Sequence, residues 1–222
     1  MIHFPKTQNQ AVIDELARQK GLAAGKYDFD DIWTQLSEDF HDKCYICGDT
    51  CSSPRIEHFR PHNRGADKDR KFDWQNLMLA CEHCNAIKSN EYEQLIDCCQ
   101  ERPDQHIRFS VQPAAQIGQH SIVIDQLSTS NIHADTKNLL EEVYSGTTKC
   151  KQIGAKVIVN NLLGELNSFD DLIQEYQEDN DEELLEEIEW ELNRESKFTA
   201  FKRWVVRDSE EYRPLFEGLI AD

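Results

Sequence analysis

Four cysteines arranged as two pairs offer the clearest chemistry in this 222-residue sequence. Cys44 and Cys47 enclose two residues, as do Cys81 and Cys84, and 33 residues separate the pairs. Each pair can present two thiolates to one Zn²⁺, and four thiolates form a closed tetrahedral shell with no open position for water or substrate. We therefore predict a structural zinc whose binding stabilises a unit too small for a large core.

A second set of polar side chains, distinct from the thiolates, lies between and just after the cysteine pairs. Glu57 and Asn85 supply two oxygen ligands suited to one Mg²⁺ or Mn²⁺, an ion that keeps open positions for water and phosphate. His58 follows Glu57 directly, and a neutral imidazole can take a proton from an attacking water at physiological pH. These residues predict a hydrolytic site beside the zinc.

The elements that position these side chains are predicted to be short around the cysteines. Two amphipathic helices are expected over 8–40, leading directly into Cys44. Two strands are predicted at 54–59 and 74–79, followed by a helix over 82–99.

The rest of the chain is predicted to be mainly helical. A loop with weak strand character covers 100–125, in which 121–125 is the best strand candidate, and separate helices follow, among them 151–166. The expected fold class is α+β, with a small zinc-held unit inside a mostly α-helical protein. We divide the chain into a helical lead-in at 1–40, the zinc-held unit at 41–97 and a mainly helical region for partner docking at 98–222.

Composition excludes a membrane or fibrous protein. Hydrophobic residues make up 39% of the chain, and no apolar stretch approaches the length of a membrane span. The first ten residues lack the apolar core of a signal peptide, so a cytoplasmic location is expected, where thiols stay reduced.

The net charge of −18 opposes binding of nucleic acid by the molecule as a whole. The acidity is concentrated in 165–195, which holds 14 acidic residues and one basic residue. In contrast, 54–88 holds seven basic and five acidic residues, so a local site for a polyanion is compatible with the overall charge.

The order of these motifs resembles the HNH nucleases. Two CxxC pairs enclose Glu57-His58 and Asn76, and Asn85 and Lys88 follow the second pair. The members of this family carry a ββα-metal motif. The longer string IEHFRPH with FDWQNLMLAC is similar to one branch, the HNH endonuclease called PtuB of Septu-type and retron-linked anti-phage systems. The resemblance covers about 47 of the 222 residues and, less specifically, the C-terminal SKFTAFKRW.

The resemblance implies a role for each matching position. His58 would be the general base and Glu57 a ligand of the catalytic metal. Asn76 would hold the loop that carries the base, and Asn85, in place of a final histidine, would be the second ligand. Arg60 and Lys88 are expected to contact phosphate. The implied reaction is one-metal hydrolysis of phosphodiester bonds in DNA.

The resemblance also implies partners. They are an ATPase of the ABC or SMC-like class, called PtuA, and in some systems a retron reverse transcriptase with its small DNA. The surplus acidity fits recruitment to DNA by a basic partner, since affinity depends on cations that neutralise phosphates. No membrane partner is expected.

Other interpretations stay open. The cysteines also fit a zinc-held adaptor without catalysis, and the motif does not exclude RNA, for example tRNA, as substrate. Cys51 competes with Cys47 as a ligand, although CxxC spacing favours Cys47. His62 fits either a phosphate contact or a loop residue, of which the loop residue is favoured, and His83 is interpreted as a surface residue rather than a ligand. Trp74 is interpreted as a packing residue rather than one that stacks on a base.

Overall fold

Two short strands and a short helix form the unit around the four cysteines. The computed structural model describes residues 1–114 and 120–220. Strands β1 (Pro54–His58) and β2 (Leu77–Cys81) pair antiparallel, with His58 opposite Leu77, and helix α4 (Glu82–Lys88) follows at once. The predicted fold class, an α+β unit within a mostly helical protein, is confirmed.

The other elements surround this unit. Strands β3 and β4 form a second antiparallel pair, and the helices α5 to α9 make up most of the C-terminal half. In chain order the bounds are α1 Gln10–Lys20, α2 Asp30–Phe40, α3 Lys68–Lys71, β3 Ile107–Pro113, β4 His120–Gln126, α5 Asn131–Ser145, α6 Lys149–Asp179, α7 Glu182–Leu192, α8 Thr199–Asp208 and α9 Arg213–Phe216.

Two predicted elements of the central unit differ from the structure. The second strand begins three residues later than expected, because the Asp73 carboxylate accepts from the backbone N–H of Gln75 and closes a 3₁₀ turn at Trp74–Asn76. Helix α4 ends at Lys88 instead of continuing to 99. Ser89 there has φ 43° and ψ −137°, a backbone conformation outside the helical regions, so the helix stops.

Helix α6 is longer than its sequence pattern suggested. It runs without a break for 31 residues, begins at the Thr148 cap and ends at Asn180 in the left-handed conformation. The two glycines inside it, Gly154 and Gly164, therefore do not interrupt the helix. The predicted strand at 121–125 lies within β4, while residues 115–119 of the predicted loop lie outside the described residues.

One apolar core joins the central unit to the elements on either side of it. Its buried members include Phe40 of α2, Leu79 of β2, Leu140 of α5 and Phe201 of α8. A second, smaller cluster lies between α6, α7, α8 and α9. Among the described residues, no helix is both long and apolar enough to span a membrane.

Candidate active site

The four predicted thiolate ligands come together in one cluster. The Sγ atoms of Cys44, Cys47, Cys81 and Cys84 all lie within 4.8 Å of one another, and three of the four residues are buried. In a tetrahedral zinc site with bonds of about 2.3 Å, neighbouring sulfurs are about 3.8 Å apart. The cluster therefore fits a structural zinc, and the predicted grouping of these cysteines is confirmed.

Local backbone geometry explains why each pair converges. After the first pair, the Gly48 N–H donates to the Cys44 carbonyl at 2.9 Å, and Gly48 has φ 78°, which favours glycine. The second pair opens α4, where the Cys81 Sγ accepts from the Cys84 N–H at 3.5 Å. A tight turn and a helix start thus place two sulfurs each toward a common point.

The thiols of the cluster influence one another. Burial opposes ionisation at Cys44, but hydrogen bonds from the neighbouring thiols hold its pKa well below the ordinary value. Burial, followed by hydrogen bonds with the other thiols, raises the pKa of Cys84. Cys51 is one of the thiols bonded to Cys44, so it lies beside the cluster without belonging to the group of four.

His58 occupies the end of β1 with one ring nitrogen fixed. Its Nε2 lies 3.1 Å from the Lys71 carbonyl oxygen. A carbonyl can only accept, so Nε2 carries the hydrogen and Nδ1 keeps its lone pair. Burial lowers the pKa of His58 to about 4, with His62 and Lys88 as further lowering influences. The imidazole is therefore neutral at physiological pH.

The Asn76 side chain connects two backbone segments near His58. Its side-chain oxygen accepts from the Arg60 N–H at 2.7 Å, and its amide donates to the carbonyls of Arg60 and Arg70 at 2.9 and 2.8 Å. Asn76 itself is 5% exposed, whereas Arg60 is exposed and Arg70 half-buried. The geometry can hold the loop that starts just after His58, in the manner that the resemblance implies.

Glu57 points to the other side of β1 and is fully engaged there. The Lys88 ammonium donates to Oε1 at 2.6 Å, and the Tyr45 hydroxyl donates to Oε2 at 2.8 Å. Burial raises the pKa of Glu57, while Lys88 and Tyr45 oppose that rise. Each oxygen thus already accepts one hydrogen bond inside the fold, and the Lys88 ammonium beside Oε1 would repel a divalent cation, so Mg²⁺ or Mn²⁺ could bind Glu57 only if Lys88 moved.

Lys88 differs from its predicted role. Its side chain is fully buried, and the ammonium also donates to the His58 carbonyl at 3.0 Å. A phosphate contact does not fit this placement, because the charge lies inside the fold. Arg60, the other predicted phosphate contact, is exposed. Asn85 is half-buried, and its amide makes no hydrogen bond with the residues that the structure describes.

Two aromatic neighbours of the site carry no sequence signal. The Tyr27 ring, from the segment between α1 and α2, meets the His58 ring edge-on with centroids 4.6 Å apart. Tyr45 lies between the first two cysteines and contacts Glu57 as described. Trp74 is buried and its indole N–H donates to the Thr7 carbonyl at 2.9 Å, which agrees with the packing interpretation.

The C-terminal half holds the cysteine unit through specific bonds. The Tyr144 hydroxyl donates to the Cys47 carbonyl at 3.0 Å, and the Phe198 N–H donates to the Gly48 carbonyl at 3.0 Å. His83, interpreted as a surface residue, donates from Nε2 to the Val143 carbonyl at 2.9 Å. His83 thus anchors α4 to α5.

Comparison with known proteins identifies the central unit. Searches of curated proteins and of solved structures returned no significant match to the chain. Residues 44–91 match the family model of the HNH endonuclease, a segment that contains both cysteine pairs, His58, Asn76 and Asn85. The chain therefore carries an HNH endonuclease domain at residues 44–91, the domain of a phosphodiester hydrolase.

Proposed function

We propose that this protein is an endonuclease that hydrolyses phosphodiester bonds in DNA with His58 as its general base. The observation that carries the proposal is the bond from His58 Nε2 to the Lys71 carbonyl, because it leaves Nδ1 as a lone-pair acceptor. Burial keeps the ring neutral, and the negative charge of a bound phosphate would raise its pKa and strengthen the base.

In the proposed reaction, His58 Nδ1 takes a proton from water as the water oxygen attacks phosphorus in line. The bond from phosphorus to the leaving 3′-oxygen breaks, which yields 5′-phosphate and 3′-hydroxyl ends. Asn76 positions the loop that follows His58, and the exposed Arg60 guanidinium contacts phosphate.

The proposed metals have separate roles. Zinc at the four cysteines would stabilise the fold, since a closed thiolate shell has no position for substrate. We also propose that activity requires Mg²⁺ or Mn²⁺, with Glu57 and Asn85 as the ligands that the HNH resemblance implies. Such an ion would have to displace the Lys88 ammonium from Glu57.

The test compares cleavage by the wild-type protein with cleavage by His58→Ala. Zinc-loaded protein is incubated with labelled single- and double-stranded DNA and RNA, in Mg²⁺, in Mn²⁺ and in EDTA. Removal of a general base is expected to reduce the rate by about 10²- to 10⁴-fold. His120→Ala is the matched control, because His120 is exposed and lies on β4, outside the site.

Several outcomes decide between the proposals. Equal rates for wild type and His58→Ala would contradict the assigned base. Absence of cleavage of every substrate, together with one bound zinc per chain, would favour the zinc-held adaptor. Cleavage of RNA but not DNA would keep the nuclease and change its substrate.

We further propose that the nuclease acts in a cytoplasmic anti-phage complex with an ATPase of the ABC or SMC-like class, in some systems joined by a retron reverse transcriptase. The support is the resemblance of the string around His58 and the concentration of acid in 165–195, which suits a basic partner surface. Co-expression with an ATPase encoded beside this chain should yield a complex that dissociates at high salt. Failure to co-purify at low salt would argue against this partner.

A further inference from the structure

A second imidazole lies directly beside the proposed base. The rings of His58 and His62 have centroids 4.2 Å apart and an interplanar angle of 65°. Tyr27 packs against both, with its centroid 6.4 Å from that of His62. His62 is half-buried and lies on the loop whose start is held by Asn76. His62 therefore brings two further ring nitrogens to the proposed site.

Backbone groups set the same Nε2–H tautomer on the two rings but occupy a different nitrogen on each. The Lys71 carbonyl requires the hydrogen of His58 on Nε2, which leaves Nδ1 as an acceptor. At His62, the Nδ1 atom accepts from the Gly65 N–H at 2.7 Å. Nδ1 therefore bears the lone pair, and the hydrogen of the neutral ring is on Nε2. One imidazole thus offers an acceptor and the other a donor.

The loop after His62 maintains this arrangement at a conformational cost. Asn63, Arg64 and Gly65 have φ values of 52°, 56° and 89°, and the first two lack the freedom of glycine. The His62 carbonyl accepts from the N–H groups of Gly65 and Asp67 at 3.0 and 3.1 Å. Such a run of left-handed residues persists only where its surroundings determine it, and it turns His62 back toward His58.

The free nitrogens of both rings remain accessible. Within residues 1–114 and 120–220, neither His58 Nδ1 nor His62 Nε2 has a hydrogen-bond partner, and neither is among the polar atoms sealed from solvent without one. Burial lowers the pKa of His62, so the ring is a neutral donor at neutral pH. A ligand that accepts a hydrogen bond from His62 Nε2 and holds a water molecule that donates to His58 Nδ1 would give both nitrogens a partner.

We propose that His62 is a second catalytic residue, which donates its Nε2–H to a non-bridging oxygen of the scissile phosphate while His58 Nδ1 accepts the proton of the attacking water. This inference rests on the proposed nuclease function. His62 keeps its proton throughout, and the leaving 3′-oxygen takes a proton from solvent. The hydrogen bond strengthens as negative charge develops on the phosphate oxygens, so it stabilises the transition state more than the bound substrate.

A pair of near-isosteric variants separates this role from a structural one. In His62→Asn, the amide oxygen takes the place of Nδ1 and can accept from Gly65, but no donor remains at the Nε2 position. In His62→Gln, the amide nitrogen reaches the Nε2 position, but the acceptor for Gly65 is lost. His120→Asn, at an exposed position outside the site, is the control.

The proposal predicts that His62→Asn melts like the wild type while kcat falls about 10²-fold with little change in KM, the lower end of the range for loss of one oxyanion donor. His62→Gln should be less stable but retain more kcat than His62→Asn. Full activity in His62→Asn together with loss of activity in His62→Gln would show a purely structural role and overturn the proposal.

A spectroscopic measurement gives a readout that does not depend on cleavage. Long-range ¹H–¹⁵N spectra of the histidine-labelled, zinc-loaded full chain should show His62 in the Nε2–H tautomer, with its signals assigned by their loss in His62→Asn. An Nδ1–H tautomer would overturn the proposal at once. If the wild type cleaves no substrate, the nuclease proposal fails and this one with it. An active wild type with an unimpaired His62→Asn would overturn this one alone.

Discussion

At the residue scale, the buried side chain of Asn76 makes three hydrogen bonds to the backbone. We predict that Asn76→Asp lowers the free energy of unfolding by about 2–4 kcal/mol, because a carboxylate oxygen would face the carbonyls of Arg60 and Arg70 where an amide now donates. Urea denaturation measures this change. Asn90→Asp, at an exposed position, is the control, and an equal effect in both variants would contradict the assigned role.

Lys6 gives a prediction about pH. Its ammonium donates to the carbonyls of Trp74 and Leu77 and lies 3.7 Å from the Trp74 ring centroid, and burial lowers its pKa to about 8. The unfolded chain holds this proton to roughly pH 10.4, so between the two values the unfolded state binds more protons and the free energy of unfolding rises with pH.

The test compares the wild type with Lys6→Met at two pH values. The difference in unfolding free energy, wild type minus variant, should increase by about 1–2 kcal/mol between about pH 7.5 and 9.5. Other groups titrate equally in both proteins and cancel. A difference that stays constant would show that Lys6 does not release its proton in this range.

The residues of the site differ in how far sequence could place them. His58 and Asn76 belong to a short local pattern, from which their roles, which stay predictions, were inferred. The burial of Lys88 was not predicted, because lysine is rarely fully buried and its partner Glu57 lies 31 positions earlier in the chain. Tyr27 reaches the site only through tertiary packing, which no local spacing encodes.

At the element scale, two glycines on α6 provide a matched pair. A Cβ on Gly154 would lie 2.3 Å from His83 Nδ1, whereas a Cβ on Gly164 would meet nothing within 4 Å. Gly154→Ala should therefore push α6 away from His83 and α4 and lower the free energy of unfolding by about 1–3 kcal/mol. Gly164→Ala should stabilise the helix by up to about 1 kcal/mol.

Thermal denaturation of the two alanine variants measures both effects. Helix propensity favours alanine equally at the two positions, so opposite signs isolate the contact with His83. If Gly154→Ala were as stable as Gly164→Ala, α6 would not pack against His83 as described.

The prediction of elements succeeded where local chemistry decides them. The helix starts and the paired strands around the cysteines follow from periodicity and spacing. The early end of α4 and the unbroken course of α6 did not. The first depends on the backbone conformation of Ser89, and the second includes Gly154, which the close approach of His83 requires. Hairpin strand β3 showed too weak a pattern to be separated from a loop.

At the scale of the whole molecule, the net charge of −18 acts against compactness. We predict that raising NaCl from about 20 mM to about 300 mM increases the melting temperature. Salt shortens the electrostatic screening length, which weakens the repulsion among the acidic side chains of 165–195. The double variant Glu186→Gln/Glu187→Gln, at exposed positions of α7, should respond less to salt. A melting temperature that falls with salt would contradict this account.

The hydrogen bonds from Tyr144 and Phe198 to the turn after the first cysteine pair matter for any attempt to fuse this nuclease domain to another protein. A fragment cut at residues 44 and 91 would lose both bonds, and Tyr45, which is fully covered in the whole chain, would lose its ring contact with Phe40. The smallest portable module would thus have to carry α5 and α8 with it. Fusion to a foreign DNA-targeting protein should use the entire chain.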